Sequence, residues 1–207
     1  NVNSWFMALK RRDAGRTALG AQDTVDAKRQ RIVTAAKAVF LKYGYNRVTM
    51  GDLAEAASMS RPALYLAFPR KEDVFRGVIR QMAREISDAV REGVGSIRSP
   101  LEKLKFVCEI WMVRTFDWTS QSLEAKEIFE SSHEFALDAV ADSMLLFERD
   151  LTSVIELFPK GTLPKGVSPK QTAHLLAGAI GGIKERCANS SELREKIHAL
   201  ISLMIRL

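Results

Sequence analysis

The sequence predicts an all-α chain of about nine helices, with a small three-helix N-terminal head and a larger helical body. Three observations predict it. Apolar residues recur at helical spacing, as in Val74, Val78, Met82, Ile86 and Val90, and no stretch alternates as a half-buried strand would. Two helix starts are fully written: Ser99-Pro100-Leu101-Glu102 and Ser168-Pro169-Lys170-Gln171 each offer a Ser cap, a Pro at the first helical position and Glu or Gln three residues after the cap. Hydrophobic residues make up 46% and charged residues 27% of 207 residues, a balance that sustains a packed core.

The elements follow in order. Residues 1–25 show no sustained period and carry Lys10, Arg11, Arg12 and Arg16, so they read as a flexible basic arm. Such an arm either lies along phosphates or stays a solvated tail. From Asp26 to Tyr43, Ile32, Ala36, Val39, Phe40 and Tyr43 recur at helical spacing, and Gly44 is a natural stop. Thr49 opens a short helix, with Asp52 completing a capping box and Leu53, Ala54 and Ala57 facing inward. Ser58-Met59 makes the turn, and Ser58 suits a positive φ less well than Gly does. Ser60 caps the next helix, Pro62 is tolerated in its first turn, and Leu64 and Phe68 anchor it. Pro69 ends it, and Glu72 and Asp73 complement the dipole of a long helix over Lys71–Glu92.

The body should continue with a helix from Pro100 toward Trp118, then helices over Gln121–Ser131 and Glu134–Leu157. Pro159, Gly161, Pro164 and Gly166 mark a loop. A helix from Pro169 should end near Cys187–Asn189, and a last one carries Leu193, Ile197, Leu200, Ile201 and Met204.

Charge is unevenly placed. The net charge is +6, yet residues 1–80 hold 15 Lys/Arg against 7 Asp/Glu, and residues 81–207 hold 16 against 18. Positive charge gathered at one end suits a polyanion, since neutralising phosphates releases counterions. Cys108 and Cys187 have no metal or redox spacing and read as reduced, packed thiols. No apolar run approaches the roughly 20 residues of a membrane span, and no secretory segment is evident, so a cytoplasmic protein without a membrane partner is expected. No Ser/His/Asp grouping, phosphate loop or zinc spacing appears, so neither enzyme activity nor a cofactor is expected. One enzyme alternative remains: Glu130-x-x-His133 and Glu195-x-x-His198 share the spacing of carboxylate-bridged di-metal bundles, with Glu109 and Glu156 available as further ligands. His174 stands alone on an apolar face, where packing is the expected role.

Helix, tight turn and short second helix between Thr49 and Phe68 form the grammar of a helix-turn-helix, whose second helix enters the DNA major groove. Arg61 is the candidate base reader, since a guanidinium bridges guanine O6 and N7; a phosphate contact is its alternative. Thr49, at a helix start, offers its hydroxyl to phosphate, and Arg47, Ser60 and Ala63 are further candidates.

The run Gly44-Tyr45, Thr49, Asp52-Leu53-Ala54, Ala57-Ser58-Met59-Ser60, Ala63-Leu64-Tyr65, Phe68 and Lys71-Glu72-Asp73 resembles the tetracycline-repressor (TetR) family of bacterial transcriptional regulators. The chain departs from that pattern at Ser58, where Gly is usual, at Met59, where Val is usual, and at Pro62, where a small residue is common. The resemblance implies a DNA-binding domain over 26–72 and a ligand-binding and dimerisation domain over 73–207. It implies phosphate contacts for Tyr65 and Lys71. It further implies a repressor, released from a near-palindromic operator when a small molecule binds; a ligand-independent DNA-binding protein is the alternative. The effector is unknown and expected to be largely apolar, because Trp111, Met112, Phe116, Phe129, Met144 and Phe147 crowd the middle helices, with Glu109 and His133 as polar anchors. A homodimer is expected through the last two helices, where Ala173, Ala177, Gly178, Gly181 and Gly182 let backbones approach closely and Leu176, Ile180, Ile197, Ile201 and Met204 form a four-helix seam.

Overall fold

A computed structural model describes residues 21–205, with side chains from Val25 onward. Most of the expected basic arm, Lys10, Arg11, Arg12 and Arg16 included, lies outside the described residues. Among the described residues there are nine helices and no strand. They are α1 (Ala21–Tyr43), α2 (Met50–Ala56), α3 (Arg61–Ala67), α4 (Lys71–Val94), α5, α6 (Leu123–Phe135), α7 (Leu137–Ile155), α8 (Pro169–Lys184) and α9 (Ser190–Met204). The α5 helix is one run made of Pro100–Cys108, a π-helical turn Glu109–Val113, and Arg114–Gln121.

Three boundaries differ from the sequence expectation. Residues 21–25, read as part of the arm, already belong to α1. The π turn has no periodicity of its own and was invisible in the apolar pattern. Ala136, in an extended φ of −141°, separates α6 from α7, where the sequence suggested a break before Glu134.

The chain forms two compact units, one of residues 21–82 and 118–141, the other of 83–117 and 142–205. The helices α4, α5 and α7 each give one end to each unit, and α6 belongs to the unit that holds the motif.

The first unit is built around α1. Gly44 ends that helix at φ 78°, with its N–H donating to the Phe40 carbonyl at 2.8 Å. Tyr45 then turns inward against Phe40, Phe75 and Phe135, at ring separations of 5.8, 4.6 and 5.0 Å. The α2 helix starts at the Thr49–Asp52 capping box and buries Leu53 and Ala54. Its end follows the Schellman pattern: Met59 N–H donates to the Ala54 carbonyl and Ser58 N–H to the Glu55 carbonyl. That geometry puts Ser58 at φ 54°. Leu64 is fully buried, which contributes on the order of 1.5–3 kcal/mol, and the Arg29 guanidinium sits 4.4 Å above the buried Phe68 ring.

In the second unit, Ile86 and Val90 of α4 share the core with Leu104, Val107 and Ile110 of α5, Phe147, Leu151 and Val154 of α7, Leu176 and Ile180 of α8, and Ile197 and Ile201 of α9. A polar group interrupts it. The buried Asp150 carboxylate accepts from Ser87 Oγ at 3.0 Å, Trp111 Nε1 at 3.0 Å and Arg149 Nη2 at 3.3 Å. Asp150 lies between Phe147 and Val154 on the apolar stripe of α7, so an acidic residue on a buried face was the available signal.

Two stability predictions follow from these conformations. Ser58→Gly relieves a left-handed residue and should raise unfolding free energy by about 0.5–1 kcal/mol, read by urea denaturation; a loss of stability would contradict the assigned turn. At the end of α8, desolvation pushes the Lys184 amine down from 10.5 to about 8. The folded chain therefore holds fewer protons there than the unfolded chain between those two pH values, so stability rises with pH across that window. Between pH 8 and pH 10 the wild type should gain roughly 2 kcal/mol relative to Lys184→Met. Parallel pH profiles would refute it.

Candidate nucleic-acid interface

The capping interactions that shape α2 and α3 also decide which side chains face out. Thr49 N–H and Oγ1–H both donate to Asp52 Oδ2, at 2.8 and 2.7 Å, and Asp52 N–H donates back to Thr49 Oγ1 at 3.3 Å. The Thr49 hydroxyl bond and then its N–H bond hold the Asp52 carboxyl below its usual range, and the Arg61 charge adds to this. Ser60 Oγ accepts from Ala63 N–H at 3.3 Å, so Ser60 is the cap of α3 and Ala63 is half-buried behind it. With Leu64 and Phe68 turned in, Arg61, Pro62, Tyr65 and Leu66 face out. Tyr65 is 49% and Leu66 85% exposed. Sequence reasoning missed Leu66, although its place beside Tyr65 and off the Leu64–Phe68 face was the signal.

Arg61 does not extend straight outward. Its guanidinium lies across Gly51 of α2, where a Cβ would come within 2.6 Å of Nη2 and 3.1 Å of Cζ. Arg47 is exposed, 3.9 Å from Glu124 Oε1. Glu127, on the same helix as Glu124, accepts from Asn46 N–H at 2.6 Å, and its carboxylate fills the space a Cβ on Gly44 would need. These α6 contacts with the loop before α2 were not legible in the sequence.

Lys71 is held within the head. Its amine is turned inward and donates to the carbonyls of Tyr45 and Val48, both at 3.1 Å, with the Tyr45 ring 4.0 Å away. Desolvation lowers its affinity for a proton. The reason is local: the loop carbonyls after Gly44 have no helical partner, and the first residue of α4 is near enough to meet them. Lys71→Met should cost about 1–3 kcal/mol of stability and leave the salt dependence of DNA binding at the wild-type slope. A slope reduced by about one would return Lys71 to a phosphate.

The eight residues expected at a ligand site fall in both units. Glu109, Trp111, Met112, Phe116, Met144 and Phe147 belong to the second unit, and Phe129 and His133 to the first. Phe129 and His133 are exposed on α6, ring to ring at 4.5 Å, because α6 turns Ala125, Ile128 and Ser132 inward instead. Trp111 and Phe147 do pack together, at 5.7 Å. Glu109 is taken by Arg194, whose Nε and Nη2 both donate to it at 2.9 Å.

Most of the expected dimer residues lie inside the single chain. Ala173, Leu176, Ala177, Ile180, Ile197 and Ile201 are buried within the single chain, and Gly181 and Met204 are half-buried. Their stripe seats α8 and α9 in the protomer's own core. The outward face carries Leu175, 57% exposed, Gly178 and Gly182 on α8, and Leu203, 82% exposed, on α9. A Cβ on Gly178 or Gly182 would meet nothing within 4 Å. His174 is exposed and sits 3.0 Å from Glu148 Oε1, not packed on an apolar face. Among the described residues no three His, Cys, Asp or Glu side chains converge on a possible metal position. Among the same residues no helix is long and apolar enough to cross a membrane.

A three-helix head whose second motif helix is capped, anchored by Leu64 and exposed along Arg61, Tyr65 and Leu66 defines a helix-turn-helix DNA-binding protein. Comparison with known proteins agrees. Residues 32–78 match the pattern of the bacterial regulatory proteins, tetR family. The transcriptional repressor AcnR of Corynebacterium efficiens is 27% identical over 183 residues, 86% of this chain and 92% of that protein. The transcriptional activator FasR of Mycolicibacterium smegmatis is 23% identical over 152 residues, 73% of this chain and 68% of that protein. A transcriptional regulator of Saccharomonospora viridis, solved in complex with choline, superposes with a TM-score of 0.59 at 16% identity, over 88% of this chain and 100% of that one. Over residues 32–78 the chain carries the DNA-binding domain of the tetR family, and it is a helix-turn-helix transcriptional regulator.

Proposed function

We propose that this regulator binds a near-palindromic DNA operator as a homodimer in the cytoplasm, represses transcription there, and leaves the operator when a small, largely apolar molecule binds its body. Its work is equilibrium binding; no bond is made or broken. The observation that carries this is the outward face of α3, where Arg61 and Tyr65 stand exposed, with exposed Arg47 and Arg70 before and after the motif in the chain. Backbone contacts from such residues position a helix, and base edges supply the choice of sequence.

A seven-residue α3 offers few base readers, so one head gains little specificity alone. A second copy related by two-fold symmetry doubles the contacts. The outward apolar face of α8 and α9, with Leu175, Gly178, Gly182 and Leu203, supports that pairing. Repression is favoured because the repressor AcnR aligns over the larger share of this chain. The division of labour is DNA binding over 26–72 and effector binding and dimerisation over 73–207. Support for an effector site comes from the π turn that carries Trp111 and Met112, a feature frequent at functional sites, and from the choline complex of the Saccharomonospora relative. Continuity of α4 gives the effector a rigid element through which to act.

Selection of DNA from a random pool by the full chain should enrich a two-fold site, and sedimentation should give a dimer. Leu175→Glu with Leu203→Glu should yield a folded monomer with at least about 100-fold weaker operator binding, since half of the contacts are lost. No enriched two-fold site, or full affinity in the doubly charged variant, would overturn the proposal.

A further inference from the structure

We propose that α3 reads its operator by apolar contact, with Leu66 on a thymine methyl in each half-site, because Gly51 gives the Arg61 guanidinium a seat across α2. This rests on the DNA-binding function proposed above. Arg61 opens α3 and is the side chain best suited to bridge a guanine. Its guanidinium instead covers the bare backbone of Gly51, where any Cβ would fall within 2.6 Å of Nη2. The neighbouring Asp52 carboxylate feels its positive charge. Arg61 is thus drawn toward α2.

Apart from Tyr65, what remains on the outward face is apolar. Pro62 has no N–H to donate, and Leu66, four residues on and on the same side, is 85% exposed. Leu66 contributes almost nothing to the core, so folding does not account for it. The major groove presents one apolar group on its base edges, the C5-methyl of thymine. Charge favours that partner over an apolar protein surface: Arg61 opens α3 and the exposed Arg70, paired with Asp73 at 3.2 Å, follows it by three residues, and cations beside an apolar side chain match a polyanion with a methyl inside its groove.

The experiment starts from the operator the wild-type chain selects. Deoxyuridine replaces each thymidine singly, which removes one methyl and nothing else. One position in each half-site should bind about fourfold more weakly to the wild type and equally well to Leu66→Ala. Leu66→Ala should keep the wild-type unfolding midpoint, since the side chain is exposed and Ala favours a helix. In a repeated selection, Gly51→Ala should gain a guanine preference that Gly51→Ala with Arg61→Ala lacks; the guanidinium is the flexible partner and yields without unfolding the head. Uracil tolerated at every position, an equal loss in Leu66→Ala, or an identical selected sequence for wild type and Gly51→Ala would overturn the inference. Failure to enrich any two-fold site would instead refute the DNA-binding function on which it rests.

Discussion

The DNA-binding head depends on the burial of one aromatic ring. Tyr45 lies in the loop between α1 and α2, 3% exposed, against Phe40 of α1, Phe75 of α4 and Phe135 of α6. Its hydroxyl donates to Glu72 at 3.2 Å, and burial, then the nearby Glu72 charge, raise its pKa. The loop's own carbonyls are met by Lys71. A short loop that would otherwise expose backbone polar groups is fixed on three sides, and α2 begins four residues beyond Tyr45 at its Thr49 cap. The α3 helix inherits its direction from that start through the turn at Ser58.

The same clamp explains why α6 belongs with the head. Phe135 closes the ring cluster, Glu127 holds Asn46 N–H, and Glu124 faces Arg47. Immediately after it, Asp138 accepts from Arg76 Nε at 3.1 Å and Arg80 Nη2 at 2.6 Å. Exposed pairs of this kind contribute at most about 1 kcal/mol each. Their weight lies in specificity of position, since each joins α6 or the start of α7 to the loop and helix that carry the motif. Any displacement of α6 must carry these groups along or break their bonds.

Much of the fold was legible in the residues, and the reasons are local. Capping boxes, Gly44 and the Pro residues at first helical positions act within one turn, so they mark boundaries without knowledge of the tertiary structure. The exposure of Arg61 and Tyr65 followed from the Leu64–Phe68 anchor spacing. What was not legible required three-dimensional neighbours. Lys71 reads as a free cation until the loop carbonyls of Tyr45 and Val48 are placed beside it. Leu176, Ile180 and Ile197 form a stripe that suits either a partner's helix or the chain's own core, and periodicity alone does not choose. Phe129 and Phe147 look alike in sequence, yet one is exposed and the other buried, because α6 and α7 present different faces inward. The π turn at Glu109–Val113 leaves no mark in the apolar pattern.

The claim that Tyr45 holds the recognition helix is tested most directly by amide hydrogen exchange in Tyr45→Leu. Protection at Leu64 and Phe68, whose N–H groups donate to the carbonyls of Ser60 and Leu64, should fall at least about tenfold, while α8 and α9 keep their wild-type protection. Unchanged exchange in α3, or an equal loss through the whole chain, would contradict the account.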